Sequence, residues 1–319
     1  MTKAALRIFA PAGQTAAAER VARHLGIAVD PLEERDFEDG EHKTRLLRPV
    51  AGADCHVLQS LHSHAGYSVN DRLIRLLFLL ATLRDHGAAR VSAVLPYIAY
   101  ARKDRRTQPL DPVATRYVAQ LLESAGVDRV AALDVHNPAA FENAFRIPAH
   151  NLEAAPALAD ALLERDRPTA LTVVSPDAGG YKRAERFREI LAARLGDRPG
   201  IAFMEKKRSG GVVSGDTLVG HVADSTVCIV DDLISSGGTL ARAAAACEAA
   251  GARDVVALAT HGLFTGGAAD TLNASAIRRI YLTDSIRGHD PASLPDADRL
   301  SRVAVAPIIA RGIQALSAA

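Results

Sequence analysis

A surplus of charge of either sign is missing from this chain, whose 319 residues carry 38 Lys and Arg against 37 Asp and Glu, a formal net charge of +1. A global basic field of the kind that holds a nucleic-acid backbone is therefore excluded, and any anion binding has to be local. Cysteine is scarce. Cys55, Cys228 and Cys247 are too few and too far apart for a disulfide framework or a CxxC metal site, and they suit small core positions in a reducing compartment. No run of 18 or more apolar residues is present to span a bilayer, and no charged-then-apolar leader opens the chain. The expectation is a soluble, cytoplasmic protein with no nucleic-acid or membrane partner. What the chain does have is a 48% hydrophobic content, enough at this length for a substantial core and about two domains.

Short runs rich in Val, Ile and Leu alternate with segments of helical period, the pattern of a parallel sheet with helices on both faces, so the fold class is α/β. Buried strands are expected at Leu6 to Phe9, Cys55 to Gln59, Val91 to Leu95, Val130 to Leu133, Leu171 to Val174, Val227 to Val230 and Val255 to Leu258. The clearest helix runs from Val69 to His86: Leu73, Leu76, Leu77, Leu80 and Leu83 form one stripe, Ser68 and Asp71 offer a capping pair, and Gly87 suits the stop. Further helices follow Pro112 and span Thr239 to Ala250. The strings GAARVSAVLP, GVDRVAALDVH and GARDVVALATHG each set a Gly-closed helix before a buried strand, so one βα unit is reused. Asn151 to Pro156 reads as the linker between two halves of similar fold, 1–150 and 151–319. The polar segment 285–299 reads as a surface connection, and part of the 285–319 tail is expected to pack on the first half.

The strongest chemical signal is the string from Cys228 to Thr239, CIVDDLISSGGT. A buried strand ends in Asp231 and Asp232 and then turns through Ser235, Ser236, Gly237 and Gly238 into a helix, so backbone N–H groups and the helix N-terminus converge. That geometry holds a phosphate. The two acids repel a bare anion but accept hydrogen bonds from vicinal hydroxyls, and together the features describe a sugar phosphate. Farther back, Lys206, Lys207 and Arg208 close a short strand before a Gly/Ser-rich stretch that composition favours as a mobile loop. His136 and Asp177 fall at strand ends, the rim where open α/β sheets place ligands.

The string around Asp231 resembles the phosphoribosyl pyrophosphate motif shared by phosphoribosyltransferases and ribose-phosphate pyrophosphokinases. The rest of the chain resembles the pyrophosphokinases in family order from about residue 7 to residue 312: Phe37-Glu38-Asp39-Gly40-Glu41 is similar to their FxDGE, Tyr100 to Arg106 to their YARQDRK, Val174 to Gly180 to their VSPDAGG, and Asp134-Val135-His136 to their DLH or DVH. The resemblance implies two similar type I phosphoribosyltransferase-like domains, each a mostly parallel sheet flanked by helices, and transfer of pyrophosphate from Mg-ATP to ribose 5-phosphate. It implies Lys206 and Arg208 as catalytic cations and Ser235, Ser236, Gly237, Gly238 and Thr239 as the 5-phosphate loop. Asp231 and Asp232 fall to the ribose hydroxyls, and His136 and Asp177 to Mg2+, with His136 also near the ATP phosphates. Magnesium prefers oxygen, which favours Asp177 over His136. Phe37, Asp39 and Glu41 are implied in the adenine pocket of a neighbouring subunit, which makes the protein a homo-oligomer, a dimer or a dimer-based hexamer. Arg102 is implied as the phosphate clamp and Lys103, where the family has Gln, as its neighbour at the nucleotide.

Read alone, the Phe37 segment is equally a hairpin turn with Phe37 in the core and its acids in solvent, ARKDRR is equally a solvated basic loop, and a strand-end histidine is commonly structural. The phosphate loop, SSGGT in place of DTxGT, is closer to plant and archaeal variants. The stretch NPAAFENAFRIP after His136 replaces the polar stretch that contributes to the regulatory site in phosphate-activated members, so weak phosphate activation and weak allosteric ADP inhibition are expected. A phosphoribosyltransferase and a non-catalytic regulatory homologue stand as the alternative functions.

Overall fold

The structure, a computed structural model, describes residues 4–318 except 65, 167, 169, 210, 211 and 290, with the backbone alone at 206–209, 212–216 and 291. The chain divides into two compact units, Met1–Glu153 with Val305–Ala319, and Ala154–Ala304.

In the first unit β1 (Leu6–Phe9) leads to α1 (Thr15–Leu25), a hairpin of β2 (Leu32–Asp36) and β3 (His42–Leu46), then β4 (Asp54–Leu58), α2 (Val69–Asp85) and β5 (Arg90–Leu95). It continues through α3 (Ala114–Ser124), β6 (Arg129–Leu133), α4 (Pro138–Ala144) and β7 (Ala149–Leu152). Strands β1, β4, β5, β6 and β7 lie in that order and are all parallel, while β2 and β3 form a separate antiparallel pair. Every residue of β4 is buried, as a strand covered on both faces requires. The start of α2 carries the expected reciprocal capping box between Ser68 and Asp71, and its five stripe leucines are buried.

The second unit opens with α5 (Ala155–Asp166), β8 (Leu171–Ser175) and α6 (Tyr181–Leu195), followed by β9 (Gly200–Ser209), β10 (Val212–Val219) and β11 (Thr226–Ile234). Then come α7 (Gly238–Ala249), β12 (Asp254–Gly262), α8 (Ala268–Asn273), β13 (Arg279–Thr283), a 3-10 turn (Pro291–Ser293) and β14 (Leu300–Val303). The sheet order is β10-β9-β8-β11-β12-β13-β14, parallel except for the β9–β10 hairpin. The last helix, α9 (Ala306–Ala318), belongs to the first unit. Its final carbonyls are met by cations: Arg129 donates to Leu316 O and Arg90 to Ser317 O at 3.0 Å.

Three expectations need correcting. The segment read as a linker is mostly structured, because Asn151 and Leu152 pair in β7 and Ala155 and Pro156 already lie in α5. Within the Gly/Ser-rich stretch beyond Lys206, Val212–Val219 is the second arm of a hairpin, and Gly210 and Gly211 lie outside the described residues. Strand pairing from Asp216 to Val219 against Phe203 to Lys206 overrides its loop-like composition. The segment 285–299 is not all surface, since Ser285 and Ile286 are buried.

Candidate active site

In the second unit the chain leaves β8 toward β9 on one side and leaves β11 toward β12 on the other, although β8 and β11 are neighbours. The C-terminal ends of β8 and β11 therefore flank a topological switch point, the crevice where open α/β sheets hold ligands. The turn after β8 is tied by its own side chains. Ser175 Oγ donates to Asp177 O at 2.6 Å and Gly180 N donates to Asp177 Oδ1 at 2.8 Å. A Cβ on Gly180 would sit 2.7 Å from Ser175 Oγ, so the close approach needs glycine. Asp177 Oδ2 has no hydrogen-bond partner among the described residues.

Asp231 and Asp232 lie near the end of β11, Asp232 buried and Asp231 half-buried. Arg183, the third residue of α6, reaches both, with Nη1 3.4 Å from Asp231 Oδ1 and 3.1 Å from Asp232 Oδ1. Burial and then the adjacent Asp232 push the Asp231 carboxyl well above the usual carboxylate range, and Arg183 opposes them. One guanidinium facing two close carboxyls leaves the pair able both to accept and to donate hydrogen bonds, which suits a vicinal diol. Past the acids, Gly237 takes the left-handed conformation (φ 78°), and a Cβ there would lie 2.7 Å from Leu272 Cγ. Ser235 is pinned to the turn after β12: its hydroxyl is 2.9 Å from Thr265 Oγ1, and its carbonyl accepts from Thr265 N at 3.0 Å. Among the described residues no side chain caps α7, and its first turn holds no acid, so its leading amides suit an anion. Ser236 is exposed, and Gly238 and Thr239 are half-buried at this mouth.

The backbone of Lys206 pairs with Asp216 and that of Arg208 with Val213; the side chains of both lie outside the described residues.

In the first unit Phe37 to Glu41 form the tip of the β2–β3 hairpin. Phe37 N donates to Glu41 O at 2.9 Å, Glu41 N donates to Asp39 Oδ1 at 3.1 Å, and Gly40 takes φ 91°. Asp39 and Glu41 are exposed. Phe37 is half-buried under the guanidinium of Arg35, 4.8 Å from its ring centroid, and so is not a core residue. The Arg102 loop and His136 are brought together: Asn137, which caps α4, donates through Nδ2 to Asp104 Oδ2 at 2.6 Å, and Thr115 Oγ1 donates to Tyr100 O at 3.0 Å. Arg102 and His136 are exposed. Lys103 is committed elsewhere, its ammonium 2.5 Å from Asp111 Oδ2, and that ion pair with hydrogen bonds from Thr107 and Gln108 holds the Asp111 carboxyl far below its ordinary range. Among the described residues no hydrogen bond or ion pair joins the hairpin tip to the Arg102 loop.

His136 belongs to the first unit and Asp177 to the second. Among the described residues no three His, Cys, Asp or Glu side chains are grouped to hold a metal. Reading the sequence missed Arg183 and Thr265. The only signal for Arg183 was its place in the first turn of the helix after Asp177, beside a strand that becomes a neighbour only in the folded sheet.

Residues 6–126 match the N-terminal domain of ribose phosphate pyrophosphokinase, and residues 204–318 match the phosphoribosyl synthetase-associated domain. The ribose-phosphate pyrophosphokinase of Corynebacterium efficiens is 35% identical over 311 residues, spanning 97% of this chain and 91% of that relative. The chain belongs to the ribose-phosphate pyrophosphokinase family. Ribose-phosphate pyrophosphokinase 2 of Enterococcus faecalis is 34% identical over 93% of the chain and 89% of its own length. The crystal structure of phosphoribosylpyrophosphate synthetase from Mycobacterium smegmatis superposes with a TM-score of 0.87 at 32% identity, covering 98% of each chain. Membership accounts for the α/β architecture of mostly parallel sheets flanked by helices. No helix among the described residues is long and apolar enough to cross a membrane.

Proposed function

We propose that this chain moves the pyrophosphoryl group of Mg-ATP onto the anomeric hydroxyl of ribose 5-phosphate, giving phosphoribosyl pyrophosphate and AMP. The observation that carries the proposal is the turn from β11 to α7: two close acids under one guanidinium, then a left-handed glycine and an uncapped helix N-terminus. Named relatives at 35% and 34% identity supply the reaction.

In this reading Ser235, Ser236, Gly237, Gly238 and Thr239 hold the 5-phosphate through backbone amides and hydroxyls, and Asp231 and Asp232 hold the ribose hydroxyls. The first domain, residues 1–150 with the α9 tail, receives the nucleotide. Arg102 and His136 meet the triphosphate there. The unpaired oxygen of Asp177 fits Mg2+, a cation that binds one or two carboxylates and keeps several waters. Bound there, Mg2+ would supply charge neutralisation on the polyphosphate. The anomeric hydroxyl attacks the β-phosphorus in line and AMP leaves, with no covalent enzyme intermediate. Little covalent help is needed from protein in such a transfer, and the barrier falls through positioning and cations set against developing charge, the work assigned to Lys206 and Arg208. The exposed Asp39 and Glu41 at the hairpin tip suit a role in a neighbouring subunit's adenine pocket within a homo-oligomer, a dimer or a dimer-based hexamer.

Incubating the chain with Mg-ATP and ribose 5-phosphate is expected to yield AMP and phosphoribosyl pyrophosphate in equal amounts; AMP without the sugar product, or neither, refutes the proposal. Lys206→Ala is expected to lower turnover by orders of magnitude at nearly unchanged ribose 5-phosphate affinity. The altered stretch after His136, folded as the Asn137-capped α4, supports weak phosphate activation and weak ADP inhibition. Rate assays with and without inorganic phosphate test this, and a large stimulation contradicts it.

A further inference from the structure

The first unit repeats the element order of the second, with β1 and β4 in the places of β8 and β11. Phe9 and Ser175 each stand six residues before the helix that follows, so Gly13 and Gln14 occupy the places of Gly179 and Gly180. Phe9 pairs with Val57, and continuing the Val174–Ile229 register by one residue sets Ser175 beside Val230. Two residues on, Gln59 stands where Asp232 does. The carboxylate that meets an arginine in the second unit is therefore a neutral amide in the first.

An arginine is present nonetheless. Arg72, in the first turn of α2, is only 2% exposed. Its Nη2 donates to His64 O at 3.1 Å and lies 3.7 Å from where a Cβ on Gly13 would stand, so the guanidinium touches the turns after both β1 and β4. Its Nε is buried without a hydrogen-bond partner, and among the described residues no carboxylate contacts it. Asp71 accepts from Ser68 N at 2.7 Å, Asp36 pairs with Arg75, and Glu34 accepts from Ala12 N at 2.6 Å through Oε2 while its Oε1 is buried without a hydrogen-bond partner among the described residues. The guanidinium carbon of Arg72 lies 5.9 Å from the Tyr67 ring centroid, a ring that Arg75 approaches more closely at 4.2 Å. A guanidinium stays charged in proteins, and a buried charge with no anionic counter-ion is strongly disfavoured. Gln14, also buried, uses Oε1 to accept from Ser60 N at 3.4 Å, while its NH2 group has no hydrogen bond among the described residues.

We propose that the first unit holds a small inorganic oxyanion of the phosphate or sulfate class on the Arg72 guanidinium beneath these two turns, with the Gln14 amide as a second donor. The near-complete burial of Arg72 selects a small ion over a nucleotide phosphoryl group. The anion acts as a counter-ion within the unit, and the inference stands independently of the reaction proposed above.

The test compares melting temperatures of the wild-type chain and Arg72→Met in a buffer free of inorganic anions, then with rising sulfate. Sulfate on the turn after β11 raises both proteins alike, so the difference between them reports the first unit. Without sulfate, Arg72→Met is expected to melt at or above the wild type; with sulfate, the wild type gains more, and its lead grows logarithmically with concentration. Equal gains, or an Arg72→Met deficit that is constant at every concentration, would overturn the proposal and leave Arg72 a packing residue. AMP in place of sulfate is expected to raise both equally; a larger wild-type gain would assign the site to a nucleotide phosphoryl group and refute the inorganic ion. Should Arg72→Met not fold, selenate-soaked wild-type crystals decide: an anomalous peak at Arg72 supports the site, and a peak only at the turn after β11 rejects it.

Discussion

At the scale of single residues, two glycines with nearly the same backbone separate conformational cost from site geometry. Gly196 ends α6 at φ 72° with nothing within 4 Å of an added Cβ, whereas Gly237 at φ 78° would drive its Cβ to 2.7 Å from Leu272 Cγ, itself buried. Gly196→Ala should cost about 1 kcal/mol of stability, the left-handed penalty for an L residue, and leave kinetics alone. Gly237→Ala should destabilise further and weaken ribose 5-phosphate binding by roughly tenfold or more, about 1.4 kcal/mol. Chemical denaturation with parallel KM measurements checks the pair, and equal kinetics in both variants would remove Gly237 from the site. Arg183 invites a different experiment. It lowers the Asp231 carboxyl against burial and Asp232, so Arg183→Leu lets that carboxyl rise still further. Activity of the variant should fall near neutrality and recover as pH rises, displacing the acidic limb of its kcat/KM profile upward. An undisplaced limb at reduced rate would make Arg183 a packing residue only.

At the scale of elements, the C-terminal helix is held by a buried polar cluster. Asp54 lies 2.6 Å from Arg90 Nη2, His56 Nε2 is 3.1 Å from Ser317 Oγ, and Arg90 and Arg129 meet the last carbonyls of α9. Burial alone would raise the Asp54 carboxyl, but hydrogen bonds from His56, Ser317 and Arg90 outweigh it and hold it at about 2. A carboxyl depressed in the folded state contributes stability that is full above its unfolded value near 4 and is lost as pH falls toward 2, on the order of 2 kcal/mol by linkage. Asp54→Asn should therefore be less stable at pH 7 and lose stability less steeply between about pH 4 and 2. Denaturant unfolding followed across that window measures both slopes; parallel slopes would show that the cluster does not couple to protonation. The second unit has its own clamp, in which Asp166 accepts from Tyr281 at 2.6 Å and Arg279 at 2.9 Å, tying α5 to β13.

At the scale of the whole molecule, the proposed loan of the hairpin tip to a neighbouring subunit makes a prediction no single-chain defect can imitate. Phe37→Ala damages the donated tip and Lys206→Ala the receiving site, so each alone should be nearly inactive. Mixing the two and allowing subunits to exchange should restore measurable activity, because some assembled sites then combine an intact tip with an intact lysine. Activity of the mixture that never exceeds the sum of the separate variants would place Phe37 outside its neighbour's site.

Features fixed by a few consecutive residues were legible from the start. The buried strands show as apolar runs because both faces of a parallel sheet are covered, the first turn of α2 shows as Ser68 with Asp71 because capping is a three-residue affair, and the turn at Gly237 shows because only glycine enters it without strain. Contacts that join distant parts of the chain were not. The stretch from Val212 to Val219 reads as a loop by composition yet pairs with β9, the guanidinium of Arg183 finds Asp231 and Asp232 only because β8 and β11 become neighbours, and α9 returns to the first unit after the second is complete. Local conformational preference is written residue by residue. Pairing, burial and counter-charge depend on what the fold brings alongside, and these decided the surroundings of the paired acids, the anchoring of the last helix and the burial of Arg72.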